Sequence, residues 1–586
     1  MSAPALARAE RWVPGIRAAR TYQRTWLRPD LVAGVVLAAI LVPQGMAYAQ
    51  LAGLPPVTGL YTTVACLIGY ALFGPSRVLV LGPDSSISPL ILAAITPLAV
   101  AGDPASVITL AGMLAILVGI TEVALGVGRL GFVADLLSKE VQVGYMNGLG
   151  ITIIVGQLPK LFGFSTSGDA FLEDVKQFVE GLDETHTTTL VVGLAVLAVL
   201  IVLPRLTTRV PAVLVAVVGA IIASAALDLQ AHGVDTVGTL PQGVPSPSLP
   251  WTNAGDIPPL LIAAVGISLV SLTDTIATAT SFAARRGETV DSNQEMIGIG
   301  AANAAAGVFG GFAVSTSGSR TAVAEQSGAK SQLTGVVGAV LVAALLLFFN
   351  SLVADLPQTA LAAVVIVAAL SLMDPAALRR YWRVRRSAFA VSLVATAGVV
   401  LLGVLQGILV AVALAIFMFF RRSWWPHGAI LGRVGDQGWH DLATNAEAEE
   451  LDGVVVYRWE APLFFANAGA FDKEIRKIAH ERRPRWVVLQ CEAITDIDVT
   501  GAEMLERLDN DLNINGTHIA FAEMRGRIQD MALRYGLFET LDRDHFYPTI
   551  EGALEALDSE EGRAAAHAPA GSPEQEDAPG PRGSDG

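Results

Sequence analysis

The sequence predicts an α-helical polytopic membrane protein followed by a soluble α/β domain, on three observations. Of its 586 residues 52% are hydrophobic and only 16% charged, with a mean hydropathy of +0.52, too apolar for a single water-soluble fold. Apolar runs of roughly 17–25 residues, enough to cross a bilayer, recur from about Leu31 to Phe420 and then stop. Two shorter apolar segments, each opened by Gly, Pro, Ser and Thr, occupy matching places in the two halves of that region.

The elements follow in order. Residues 1–30 carry Arg8, Arg11, Arg17, Arg20, Arg24 and Arg28. This basic segment is expected on the cytoplasmic side, because arginines are retained there, and the apolar run after it is too long for a signal-peptide core. Spans are expected near 31–50, 57–74, 106–127, 143–162, 190–203 and 211–228, then 257–283, 294–312, 332–353, 359–373, 387–403 and 405–420. With short segments at about 86–99 and 319–330 they make fourteen transmembrane elements, seven per half. The working division is a first repeat over 31–204 and a second over 205–422. The cluster Arg379, Arg380, Arg383, Arg385, Arg386 and the pair Arg421-Arg422 are separated by two spans, which puts both on the cytoplasmic side, so both termini are expected there.

The interrupted segments carry the chemistry. The first reads Gly82-Pro83-Asp84-Ser85-Ser86 and the second Ser317-Gly318-Ser319-Arg320-Thr321. Paired breaks of this kind point to a binding site at the repeat interface of a secondary transporter, where unwound backbone offers free N–H groups. Each helix N-terminus adds about half a positive charge, and Arg320 a full one, so the expected ligand is an anion. Asp84 reads as a cap of the first half-helix through Ser85 or Ser86, or as a group that couples to protons. Asp274, one turn from Thr278 in an otherwise apolar span, is a functional candidate because an ionised carboxylate is costly in a bilayer. Gln44 and Tyr48 share one face of the first span. Glu122 stands alone in the fourth span and is expected to face an arginine or a polar pocket. Gly307, Gly310, Gly311 and Asn303 read as close helix packing.

Beyond Arg421 the chain alternates short β-rich segments (454–458, 486–489, 519–522) with helical spacing (470–482, 502–512), which places an α/β domain at 436–558. From Ser559 to the end, Pro, Gly, Ser, Ala and acidic residues predict disorder. Residues 436–586 hold 31 acidic and 14 basic side chains, a net −17, which leaves the membrane part of this −15 chain near +2. The acidic total therefore does not disfavour an anion as ligand, and it does disfavour nucleic acid. Two cysteines exclude a disulfide framework, no metal-ligand spacing occurs, and no catalytic order or nucleotide loop suggests an enzyme.

These residues together resemble the sulfate permease family of anion transporters. The carriers are Val42-Pro43-Gln44-Gly45-Met46-Ala47-Tyr48-Ala49, Leu51-Ala52-Gly53-Leu54-Pro55-Pro56, Gly82-Pro83, Gly144-Tyr145 and Ser319-Arg320-Thr321. The soluble part resembles a STAS domain through Phe464-Phe465-Ala466-Asn467-Ala468 and Asp496-Ile497-Asp498-Val499-Thr500-Gly501. The resemblance implies two inverted seven-helix repeats, arranged as a core and a gate domain, and homodimers. It implies a substrate site at Gln44, Tyr48, Ser85, Ser86, Gly318, Ser319 and Arg320, and a coupling cation, sodium or a proton, near Asp274 and Thr278.

The expected function is secondary active transport of a small inorganic anion, sulfate first, across the inner membrane, with no cofactor and with lipid as surroundings. A bicarbonate or dicarboxylate symporter, an uncoupled exchanger or channel, and a STAS-based membrane sensor are the alternatives.

Overall fold

In the computed structural model the described residues are 10, 12–100, 102–131, 138–166, 171–207, 211–435, 438–536 and 545–567. Arg8, Arg11 and the tail 568–586 lie outside them. The chain divides into two compact units, Met1–Ile416 and Phe417–Gly586.

The first unit is helical. Its first half holds α1 (Leu27–Leu51), α2 (Pro56–Phe73), α3 (Ser88–Ile95), α4 (Pro104–Val127), α5 (Lys139–Phe162), α6 (Thr187–Leu206) and α7 (Ala212–Leu227). Its second half holds α8 (Ile257–Ala284), α9 (Ser292–Val308), α10 (Gly318–Gln326), α11 (Leu333–Phe348), α12 (Gln358–Leu372), α13 (Arg386–Leu402) and the part of α14 (Val404–Trp424) up to Ile416. Proline in the first turn starts α2, α3 and α4, where a missing N–H costs nothing. Asp103 caps α4 and Asp291 caps α9 through backbone N–H groups. The short helices α3 and α10 are each third of seven only when counting restarts at α8. The division between repeats therefore moves from 204/205 to the connection 228–256, and α7 belongs to the first half.

Packing sorts the helices into two groups. In one, α9 lies against α2 and α4, α11 against α1 and α2, and α8 against α4; in the other, α5 lies against α12 and α13, and α6 against α7 and α12. The interior of the first group is built from small residues. A Cβ on Gly119 would stand 2.5 Å from the carbonyl oxygen of Gly300, and one on Gly45 3.2 Å from that of Gly59, so these backbones touch as glycine allows. Being enclosed explains why α9 is only moderately apolar: it faces neighbours, not lipid. It ends at Val308, and Gly310 lies in the turn beyond with φ +68°. Of the glycines expected to bring α9 close to its neighbours, Gly307 does so against Gly112, while Gly310 does not. Asp30 in the first turn of α1 is fully buried; it accepts from Lys330 N, Ser331 N, Ser331 Oγ and Thr334 Oγ1, binding the start of α11 to α1.

The second unit is a six-stranded sheet in the order β4-β3-β5-β6-β7-β8, flanked by helices: β3 (Gly428–Arg433), β4 (Trp439–Asp441), β5 (Val454–Trp459), β6 (Trp486–Gln490), β7 (His518–Ala522) and β8 (Phe546–Tyr547). The last four strands are parallel. Helices α15 (Ala468–Arg482) and α16 (Val499–Ile514) cover one face through Phe471, Ile475, Leu505 and Leu508; α18 (Ile550–His567) covers the other through Ile550, Ala553 and Leu557. The shorter α17 (Gly526–Arg534) leads towards β8. Two boundaries differ from the expected ones. The domain begins with β3, ahead of residue 436, because Ile430 and Leu431 pair with Tyr457 and Val456. Helix α18 runs past Ser559 to His567, since Glu560, Glu561, Arg563 and Ala564 to Ala566 are good helix formers. Burial pushes the Cys491 thiol above its usual range, so it is an inert core residue.

Candidate functional site

Two short strands, β1 (Leu81–Gly82) and β2 (Ser315–Thr316), join the halves at the start of the half-helices. They pair antiparallel, Leu81 with Thr316 and Gly82 with Ser315, as an inverted repeat requires. Val80 extends the pairing: its carbonyl accepts from Ser317 N at 3.2 Å, and its N–H donates to Thr321 Oγ1 at 3.1 Å. Thr316 donates to Thr275 of α8 at 2.7 Å.

From this pair α3 and α10 lead away with their N-termini at the junction. Asp84 Oδ1 accepts from Ser86 N at 2.9 Å and from Ser86 Oγ at 2.8 Å, while the Asp84 carbonyl accepts from Ser88 N and Oγ. Ser317 caps α10 by accepting from Arg320 N at 3.4 Å, and its hydroxyl lies 3.0 Å from that of Ser319. Ser85 and Ser86 are buried, whereas Gly318 and Ser319 are exposed, and nothing stands within 4 Å of a Cβ placed on Gly318. The second half-helix therefore opens onto free space and the first does not.

Arg320 points away from that opening. Its guanidinium donates to Pro83 O at 2.5 Å and to Gly82 O at 3.4 Å, and stands 3.6 Å from Asp84 Oδ2; the residue is 1% exposed. It stitches the second half-helix to the segment between β1 and α3, and a Cβ on Gly82 would stand only 3.4 Å from Nη1. Asp84 thus holds the turn that leads into α3, whose cap position Ile87 makes no side-chain bond, and is also the partner of Arg320. With these two charges opposed, the pull on an anion comes from the two helix N-termini and from neutral donors.

Tyr48 is buried on α1 within hydrogen-bonding reach of Ser85. Gln44, one turn earlier, has a buried Oε1 without a hydrogen-bond partner among the described residues. Across the junction Asp274 of α8 accepts from Gln142 Nε2 of α5 at 3.3 Å, and Ser86 Oγ lies within reach of both Asp274 and Asp84. Tyr145 of α5 points its hydroxyl at Ser86 O, 3.5 Å away. A cavity of about 10 Å³, lined by Gln142, Tyr145, Thr273 and Asp274 among others, is at the size limit for one water. Thr278 is half-buried one turn on and makes no hydrogen bond to Asp274 among the described residues. The structure therefore gathers Gln44, Tyr48, Asp84, Ser85, Ser86, Arg320 and Asp274 around one junction, with Gly318 and Ser319 at its open end.

Sequence reasoning missed Gln142 and Tyr145 as neighbours of Asp274, since a glutamine in the first turn of a span reads as a helix end. It also misplaced one residue. Of the two surroundings expected for Glu122, the polar pocket is the one found: its Oε2 accepts from Asn303 Nδ2 at 2.8 Å. Asn303 is not a packing residue: its Oδ1 accepts from Val314 N at 2.7 Å, so it clamps the strand that leads into β2 and α10. Ser271 of α8 donates to Val314 O at 3.3 Å, and Thr62 of α2 accepts from Phe312 N at 3.0 Å. Glu122 thus orients the amide that fixes the second half-helix. Glu295, also buried, plays a comparable part near β1 by accepting from Tyr70 at 2.6 Å and from Ser76.

Two inverted halves, α1 to α7 and α8 to α14, with half-helices meeting on a short strand pair, define a two-repeat membrane transporter with a soluble α/β domain. The chain matches the model of the sulfate permease family over residues 27–395 and that of the STAS domain over residues 445–553. It belongs to the sulfate permease family, a family of membrane anion transporters and not of enzymes. A probable sulfate transporter of Mycobacterium tuberculosis is 40% identical over 549 residues, 93% of this chain and 98% of that protein. The chloroplastic sulfate transporter 4.1 of Arabidopsis thaliana is 30% identical, over 92% of this chain and 82% of its own. Among solved structures, the murine solute carrier 26 family member A9 anion transporter superposes with a TM-score of 0.84 at 25% identity, covering 95% of each chain. The transmembrane domain of a cyanobacterial bicarbonate transporter shares the fold at 24% identity, with a TM-score of 0.60 over 67% of this chain and 98% of its own.

Proposed function

We propose that the protein is a secondary active transporter that carries sulfate, as a homodimer of the inner membrane with both termini cytoplasmic, and that a cation at Asp274 drives it. The observation that carries the reading is the junction of α3 and α10. Two helix N-termini and the hydroxyls of Ser85, Ser86 and Ser319 converge there, while Arg320 and Asp84 offset each other. Paired dipoles and hydroxyls suit a tetrahedral oxyanion, which accepts several hydrogen bonds at once. The names of the relatives support sulfate over other anions.

Asp274 supports the coupling. It is the carboxylate of the junction that no cationic side chain faces among the described residues, and it shares Ser86 with the first half-helix. A sodium ion or a proton on Asp274 would lower the charge that has to cross the bilayer with the anion. The carboxylate and nearby hydroxyls are hard oxygen ligands of the kind sodium takes, and protonation needs the carboxylate alone.

The deciding experiment is uptake of labelled sulfate into proteoliposomes under imposed pH or sodium gradients, with bicarbonate and dicarboxylates as competitors. Accumulation under one gradient, displaced by unlabelled sulfate, is expected. Folded protein that accumulates bicarbonate and leaves sulfate outside would replace the substrate, and gradient-independent exchange would remove the coupling.

A further inference from the structure

The connection between α12 and α13 is a ten-residue helix, Pro375–Val384, held in place at its first turn. Asp374 accepts from Ala377 N at 2.8 Å and donates its own N–H to Asn147 of α5 at 3.1 Å. The helix and the two residues after it carry Arg379, Arg380, Arg383, Arg385 and Arg386, all exposed. Among the described residues none of the five forms an ion pair with an acid. Beside them Trp382 is 54% and Val384 80% exposed. The Trp382 ring meets Phe389 of α13 edge-on at 5.0 Å and carries the Arg386 guanidinium 5.5 Å above it.

The first half supplies the comparison. Its equivalent connection, between α5 and α6, also holds a short amphipathic helix, Phe171–Glu180, with Glu173, Asp174 and Glu180 against Lys176, followed by Asp183 and Glu184. Inverted repeats put equivalent connections on opposite faces of the membrane. The same helix is therefore acidic on one face and arginine-rich on the other. Helix formation needs neither sign, so the arginines answer to something on their own face.

We propose that Pro375–Val384 is a binding site for anionic phospholipid headgroups, with Arg379, Arg380 and Arg383 on the phosphates and Trp382 and Val384 in the acyl boundary. Guanidinium groups match phosphate oxygens in pairs. Indole rings settle at headgroup depth. The flanking spans, ending at Leu372 and starting at Arg386, hold the helix at that depth. The contact to Asn147 makes the arginine comb rigid, so lipid bound there is bound to the α5, α12 and α13 group of helices.

The test is native mass spectrometry of the full-length protein, released from nanodiscs made of equal parts phosphatidylglycerol and phosphatidylcholine. The wild type should retain phosphatidylglycerol preferentially. The triple variant Arg379→Gln, Arg380→Gln, Arg383→Gln should lose that preference by on the order of a hundredfold, about fivefold per arginine. The matching triple lysine variant, which keeps the charge, should retain most of it and so separates lipid binding from misfolding. Equal retention by the wild type and the glutamine variant overturns the proposal. A wild type without preference for phosphatidylglycerol also overturns it, and is the outcome expected if acidic residues elsewhere in the chain cover the arginines.

Discussion

The two half-helices start from one strand pair and differ in almost everything but backbone. The first, α3, is preceded by buried Asp84, Ser85 and Ser86; the second, α10, begins with exposed Gly318 and Ser319 and sends buried Arg320 back to the first. The supports differ too. Near β1, Gln332 Nε2 donates to Ser76 O and Leu79 O, whereas the strand before β2 is held by Asn303, itself oriented by Glu122. Symmetry has kept what a transporter needs twice, a helix N-terminus in the membrane. The side chains have divided the remaining work, so that one half carries the acid and the other the guanidinium and the open hydroxyl.

The largest effect should come from Asp274, which belongs to neither half-helix. Asp274→Asn keeps the shape and the contact to Gln142 but removes the charge, so accumulation of sulfate should fall to the equilibrium level while binding persists at high concentration. Gradient-driven uptake in proteoliposomes measures this, and undiminished accumulation would exclude Asp274 and turn attention to Asp84.

Next is the link between the halves. Arg320→Ala leaves Asp84 buried without its partner, which should cost about 3–5 kcal/mol, whereas the double variant Arg320→Gln, Asp84→Asn should lose much less. Thermal melting of the purified variants checks the pair, and equal losses in the two would show that Arg320 stabilises independently of Asp84. A smaller change is expected at the support of α10. Glu122→Leu should lower stability by about 1–3 kcal/mol, the penalty for stranding a buried amide, and weaken sulfate binding with it, while Glu122→Gln should stay close to the wild type. Calorimetric titration of sulfate separates the two, and if the leucine variant binds as the wild type does, the clamp has no bearing on the site.

The smallest effect compares the ends directly. Ser319→Ala should change the preference among anions of similar charge by about 0.5–1.5 kcal/mol, one hydrogen bond. Ser86→Ala should shift the coupling ratio instead, because its hydroxyl donates to Asp84 and lies within reach of Asp274. If both serine variants alter selectivity alike, the ends are equivalent and the asymmetry is only structural.

Much of this arrangement could be read from the residues before any coordinates. Hydropathy located twelve elements besides the half-helices, although among the described residues only six helices are long and apolar enough by themselves to cross a membrane. Gly, Pro and Ser marked the two breaks, because only such residues open a membrane helix. Asp274 and Arg320 stood out because charge is rare there. The partners of those charges were hidden. That Arg320 closes on Gly82, Pro83 and Asp84, and not on the open end beside Ser319, depends on a strand pair joining residues more than two hundred positions apart. Glu122 and Asn303 were each seen alone, since nothing in local sequence says that α4 and α9 touch at that level. Composition and periodicity thus determined the spans, the breaks and the sign of the expected ligand, which follow from each residue's own transfer energy. Tertiary structure decided which charges cancel and which remain available, because that depends on distances between segments that the chain brings together only by folding.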